Sequence, residues 1–228
     1  SVVYSDRGPL LIYLIPIMFF KSAEHYNKDK DNVQWFGNFD VSLVRNVNFY
    51  GSLFIDELNI DDLFDPEKQR NQLGYTFGFQ TYDVLLKNLE LNVEYTRTNP
   101  WTYTHKYPAV QFTNNGYVMG NWMGQNADNL FADLSYRPIR SLVFGGTFEI
   151  YRKGGQKDIG FQYVIPSQRF LYGPLHEERS YGLYTRYQFV RDGFIDARVT
   201  SRSTSDEVLR LRGDKKMEFS VSARYGLW

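Results

Sequence analysis

The chain contains no cysteine, so neither a disulfide framework nor a thiolate metal site can be built from it. It also has no excess charge of either sign: 26 Lys and Arg stand against 26 Asp and Glu. Without a basic field to gather phosphate backbones, nucleic acid is a poor partner to expect. Long apolar runs are missing too. A mean hydropathy of −0.46 cannot supply the roughly 20-residue apolar stretches of a helical membrane bundle, and the apolar stretch at residues 9–20 is interrupted by Pro16. The only histidines are His25, His105 and His176, isolated from one another, and no Gly-rich phosphate loop or nucleophile elbow occurs. These absences point away from a metal, a cofactor and an enzyme. Aromatics are plentiful instead: 18 Tyr, 18 Phe and 4 Trp in 228 residues, far too many for a disordered chain.

Nine segments alternate between apolar and polar residues, and almost nothing has helical spacing, so an all-β protein is expected. One parity carries Trp35, Phe39, Val41 and Leu43, then Phe49, Leu53 and Ile55, then Tyr75, Phe77 and Phe79. It continues through Leu91, Val93 and Tyr95 to Leu134, Phe144, Phe148, Tyr181, Leu183, Ile195, Val199, Met217, Phe219 and Val221, without one charged residue. Successive side chains of a strand point to opposite faces, so each set shares a face. The opposite parity is polar and includes Asp40, Asp133, Glu149, Arg186, Asp196, Arg198, Glu218 and Arg224.

Connections alternate as well. Residues 21–32, 57–71, 97–128, 152–178 and 202–215 read as long, whereas 45–46, 82–88, 137–140 and 191–193 read as short. Short turns on one side, long loops on the other, and strands apolar outside and polar inside are the marks of an outer-membrane β-barrel. With residues 9–20 as a first strand, ten antiparallel strands are expected, both termini on the periplasmic side, in the outer membrane of a double-membraned bacterium. The soluble rival is a β-sandwich or lipocalin-like barrel whose apolar face is the core. Loop asymmetry argues against it, and so does the bulk of the apolar side chains, which would overfill a small barrel interior. Residues 1–228 are therefore read as one barrel unit embedded in lipid and lipopolysaccharide. Ser1 is read as an internal position of a longer protein, so missing upstream strands or a partner chain would complete the wall. The final alternating strand ends in an aromatic, as barrels delivered by the outer-membrane insertion machinery do, although Trp228 falls on the parity opposite to Tyr225 and Leu227.

The longest connection is rich in rings and amides. Trp101, Tyr103, Tyr107, Tyr117 and Trp122 offer flat faces for the C–H side of a sugar, and Asn99, Asn114, Asn115, Gln125, Asn126 and Asp128 offer directional partners for hydroxyls. The plainer reading is that the rings pack the loop onto itself and that Asn and Gly only make turns. Glu94 and Arg97, near the strand end, are placed to form a structural pair or to hold the loop base. The inward charges of both signs suit a lumen filled by ion pairs, or else a selective pore. A third reading, an omptin-like protease, would need Asp61, Asp62 and Asp65 to meet His176 and Glu177, around which no omptin-like motif is found.

Residues 94–129, EYTRTNPWTYTHKYPAVQFTNNGYVMGNWMGQNADN, carry a more specific signal. They resemble the Wzi family of capsule-assembly outer-membrane proteins, in which a strand ending E-Y-T-R is followed by N-P-x-x-Y-x-H and later by G-x-N-A-D. FFKSAEHYNKDKDN at 19–32 and IDEL at 55–58 resemble further family stations. The resemblance implies an eighteen-stranded barrel with a periplasmic helical part, roughly eight strands being upstream of Ser1. It also implies a non-catalytic surface lectin that holds capsular polysaccharide. From the ring and amide chemistry of the loop, Trp101, Tyr103, His105, Tyr107, Trp122, Asn126 and Asp128 are the expected glycan contacts, and Glu94, Arg97, Asn99 and Pro100 are structural positions of the motif.

Overall fold

The computed structural model describes residues 2–3, 31–61, 65, 68, 70–156 and 159–226. They contain thirteen antiparallel strands and two short 3₁₀ turns, with no α-helix among the described residues. Two small ribbons pair β1 (Val2–Val3) with β2 (Asn32–Val33) and β7 (Thr113–Asn114) with β8 (Tyr117–Val118). The other nine strands are β3 (Trp35–Val44), β4 (Val47–Glu57), β5 (Gln72–Tyr82), β6 (Leu89–Thr98), β9 (Ala127–Ile139), β10 (Leu142–Lys153), β11 (His176–Val190), β12 (Gly193–Asp206) and β13 (Leu211–Tyr225). They form one sheet in sequence order, with β3 and β13 at its two edges. The nine strands coincide with the nine segments of alternating sequence. The sheet is open among the described residues, and the strand expected at 9–20 lies outside them, as do Pro16, His25, Asp62, Leu227, Trp228 and most of the 19–32 motif.

Four tight connections lie along one edge, and residues in the left-handed region shape three of them: Asn46 at φ 64°, Asp83 and Asn88 at 56° and 64°, and Asp192 at 60°. Asn and Asp tolerate that conformation best among residues with a Cβ. Each connection is tied to the next hairpin by the same bond. Tyr82 N–H donates to Asn46 O, Arg137 to Asn88, Gln188 to Ser141 and Gly226 to Asp192, at 2.7–3.0 Å. The repeat leaves those carbonyls partnered along the whole edge.

The opposite edge carries residues 58–71, 99–126, 154–175 and 207–210. The last is far shorter than the expected loop 202–215, and β11 begins inside the expected loop 152–178. The reason is physical. Near the loop edge these strands are polar on both faces, so alternation disappears, yet Ser203↔Lys215 and Thr204↔Asp214 still pair. Period-2 patterning reports burial, not backbone pairing.

The apolar parity is exposed. Leu183 is 66% accessible, Phe219 75% and Val221 79%, and no second layer covers that face among the described residues. The apolar belt also drifts. One pairing row, Phe39↔Gly51↔Phe77↔Tyr95↔Leu130↔Ile150↔Arg179↔Ser203↔Lys215, crosses all nine strands perpendicular to them and leaves the belt at β11. Toward the turns, the row Ile139↔Leu142↔Tyr187↔Ile195↔Ala223 belongs to the belt on β9 to β13 only. The apolar band thus slides by about three rows, roughly 20 Å along the strands, over about 38 Å of sheet width. A level band behaves this way when strands cross it tilted by about 30°.

Candidate functional site: the loop cap

The buried apolar residues cluster at the long-loop edge. Phe54 at the end of β4, with Tyr103 and Phe112 from the loop 99–126, forms the core cluster, rings 4.9–6.0 Å apart. Phe36 adds an edge-on contact at 5.1 Å. Trp101 and Tyr103 both take positive φ, 68° and 74°, which costs a bulky residue about 1–2 kcal/mol each. Two captures offset that cost. Trp101 N–H donates to Gln125 Oε1 at 2.7 Å and Tyr103 N–H donates to Asp56 Oδ2 at 3.0 Å. The indole is 3% exposed and stacks on Tyr172 at 5.5 Å, while the Tyr103 hydroxyl accepts the Asn121 N–H at 3.0 Å.

Several expected glycan contacts are therefore structural. Trp101 and Tyr103 are buried pillars. Asn126, fully buried, donates through Nδ2 to Gly155 O (2.9 Å) and Tyr172 O (3.2 Å) and accepts from Leu171 N–H (2.7 Å), so it pins one loop to the next. Asp128 is buried beneath Arg152, whose Nε donates at 2.9 Å, and takes the Tyr95 hydroxyl at 3.0 Å. A sugar cannot reach these four, because protein atoms already fill their contact surfaces. His105 remains partly exposed, Tyr107 and Tyr117 are exposed, and Trp122 is 70% exposed with its ring 5.1 Å from Tyr151.

The expected Glu94–Arg97 pair does not form, because three residues along a strand reverse the face. Glu94 points inward and accepts from Tyr50 OH at 2.9 Å. Arg97 points outward, donates to Asn99 Oδ1 at 3.0 Å and lies over the Phe170 ring at 3.7 Å. Asn99 in turn holds Asn71 O, and Pro100 starts the turn that inverts the backbone.

The polar face of the sheet divides into two halves. On β11 to β13, Asp196 joins Arg186 (2.6 Å) and Arg224 (3.0 Å), Lys216 meets Glu218 at 2.8 Å, and Arg198 lies over the Tyr184 ring. On β3 to β10 the carboxylates take neutral donors: Asp40 from Asn48, Asp133 from Tyr184, Glu149 from Asn129. Gly78 and Gly145 make room for this, since a Cβ at either would collide with the ring of Tyr50 or Tyr184 as it crosses to the next strand.

A polar cleft of about 610 Å³ opens between the loops, lined in part by Asn32, Asp56, Glu57, Asp61, Gln72 and Gln162. Its key device is a β-bulge. Register shifts between Ile55 and Glu57, so Glu57 sits opposite Gln72 and adjacent carboxylates serve one side of the strand end instead of two. Glu57 Oε2 accepts from Gln162 Nε2 at 2.9 Å, and the Gln72 amide, turned so that both its ends are satisfied, donates to Asp56 Oδ2 at 3.2 Å and to Trp101 O at 3.1 Å. Burial pushes Asp56 up to about 6, against hydrogen bonds from Tyr103, Asn32 and Gln34. A second cleft of about 500 Å³ shares His105, Lys106 and Tyr163 with the first. Elsewhere in the cap, Lys153 Nζ donates to Met123 O and Gln125 O, and burial lowers it to about 8. Among the described residues no cluster of His and carboxylates is grouped to hold a metal ion.

The capsule assembly protein Wzi family model matches residues 14–145, which include β2 to β9, the buried NPWTY turn and the bulge. The chain belongs to the Wzi family. No curated protein matches it at a significant level. Sequence reading names the Wzi stations at 55–58 and 94–129 but misses Gln72, Gln162 and Tyr163, because lone amides and a lone ring have no period or spacing to betray them. The only local sign of the cleft is IDEL itself, two acids in succession where a strand pattern calls for one polar and one apolar residue.

Proposed function

We propose that this Wzi-family chain forms wall of an outer-membrane β-barrel and holds capsular polysaccharide at the cell surface through its long loops, without turning it over. The observation that carries the reading is the diagonal apolar band beneath a packed polar cap. Along β10, Leu142 to Ile150 spans about 27 Å, which a 30° tilt reduces to about 24 Å, close to the apolar height of outer-membrane barrels. Hydrocarbon requires every backbone group to be paired, so β3 and β13 each need a neighbouring strand for the wall to close. The long-loop edge then faces outward among lipopolysaccharide headgroups and glycan. There the rings of Tyr107, Tyr117 and Trp122 are accessible while those of Trp101 and Tyr103 hold the cap together.

The test is retention of capsular polysaccharide by the intact protein in detergent micelles. Retention of a capsular polymer by the folded protein supports the reading; a protein that retains none of the polymers offered refutes it. A channel for small polar cations is the second reading, favoured by Asp40, Glu94, Asp133 and Glu149, each held by a neutral donor on the polar face. A steady single-channel current in planar bilayers would select it.

A further inference from the structure

The polysaccharide reading leaves open where on the cap a chain of sugars would lie and what sugars it would contain. The exposed rings do not answer this by themselves, since Trp122 and Tyr107 are not among the residues lining the two clefts. The clefts do. They share His105, Lys106 and Tyr163, so they are two compartments of one groove, with those three residues at the join. Volumes of about 610 and 500 Å³ lie within the range that holds small ligands.

The two compartments differ in charge. The first has three carboxylates, Asp56, Glu57 and Asp61, with the amides of Asn32, Asn59, Gln72 and Gln162 around them. Asn32, Gln72 and Gln162 are each more than nine-tenths buried, so their amides are fixed and the compartment is preorganised. Acceptors fixed in this way suit paired hydroxyls, whereas a sugar carboxylate would meet like charge in a partly desolvated site. Among the described residues the second compartment has no carboxylate in its lining. Its lining is Thr104, Pro108, Gln111, Ile159 and Gly160, besides the shared residues, and its cation is Lys106, which is exposed and meets no carboxylate among the described residues. Tyr163, about half exposed beneath the Arg70 guanidinium, presents a ring between the two.

We propose that this groove is the polysaccharide subsite, and that it takes a neutral sugar with adjacent hydroxyls in the carboxylate compartment, joined to an anionic sugar beside Lys106. Glu57 accepts the hydroxyl pair of the neutral unit, Tyr163 packs against its C–H face, and Lys106 meets the carboxylate of the next unit. The bulge at Ile55 to Glu57 is the specificity device: without it Glu57 would face the opposite side of β4. The inference rests on the polysaccharide reading and adds to it a site and a sugar class.

The experiment compares three soluble polymers on the intact protein in detergent micelles: dextran, in which all units are neutral; alginate, in which all are uronates; and gellan, which mixes the two. Gellan is expected to bind at least tenfold more tightly than either. Glu57→Gln and Tyr163→Ala should each weaken gellan about tenfold. Lys106→Ala should remove the advantage of gellan over dextran and make binding insensitive to salt. Wild-type fluorescence of the buried Trp101 in each variant shows that the cap is intact, and Lys106→Ala, at an exposed side chain, keeps the test alive should Glu57→Gln loosen the loops. Equal binding of the three polymers, or gellan binding unchanged in Lys106→Ala and Tyr163→Ala, overturns the groove while leaving the holding function intact. Failure of the wild-type protein to bind any of the three, or its own cells' capsule, overturns both.

Discussion

Asp56 is the most informative group to perturb, because one carboxylate supports the inverted turn of a loop 47 residues away. Its side chain is 5% exposed and accepts the Tyr103 N–H, and burial raises its pKa from 3.8 to about 6. In an opened loop the carboxyl titrates near its ordinary value. Between about pH 4 and 6 the closed cap therefore binds more protons than the open one, and closure weakens as pH rises through that window. A difference of about two units corresponds to about 3 kcal/mol, or up to a hundredfold in the opening constant. Amide hydrogen exchange of residues 99–112, corrected for the intrinsic pH dependence, reads this directly. Protection should fall as pH goes from 4 to 6 and level off above. Asp56→Asn keeps an acceptor of the same shape for Tyr103 and cannot ionise, so its protection should stay flat. Should the variant keep the wild-type pH profile, or should wild-type protection climb with pH, the linkage argument fails.

Other outcomes follow from the same geometry. Leu183→Arg, at the middle of the apolar band, should cost about 2–4 kcal/mol of folding in lipid, whereas Arg179→Leu on the same strand should cost little; refolding yields into vesicles compare them. Gly145→Val drives a side chain into the Tyr184 ring and should lose about 1–3 kcal/mol, measured as a lower denaturant midpoint. Trp101→Ala removes the pillar stacked on Tyr172 and should open the cap by about 3–5 kcal/mol, seen as rapid proteolysis within residues 99–126, while Trp122→Ala leaves proteolysis unchanged.

The nine strands, their faces and the side of the sheet that bears the loops are legible in the residues because a pleat is local: every second side chain points the same way whatever the rest of the chain does. The same locality explains what is misread. At residues 202–206 and 211–215 both faces are polar, so a continuing strand looks like a loop until its partner is known. The rings of 99–126 look alike in composition. Trp101 and Trp122 differ only in that the first is inverted by a left-handed φ and buried by contacts to residues 24 and 71 positions away, the second lying exposed beside Tyr151.

By itself the sequence determines that one face of this chain is greasy and the other wet, and that its reactive residues are few and scattered. Only the tertiary structure decides that Glu57 turns to the side of Gln72, that Gln162 from another loop meets it, and that Lys106 stands where two clefts join. Strand polarity repeats every two residues and needs no partner, whereas a cleft is made of side chains brought together across more than a hundred positions, and no local pattern records which of them will meet.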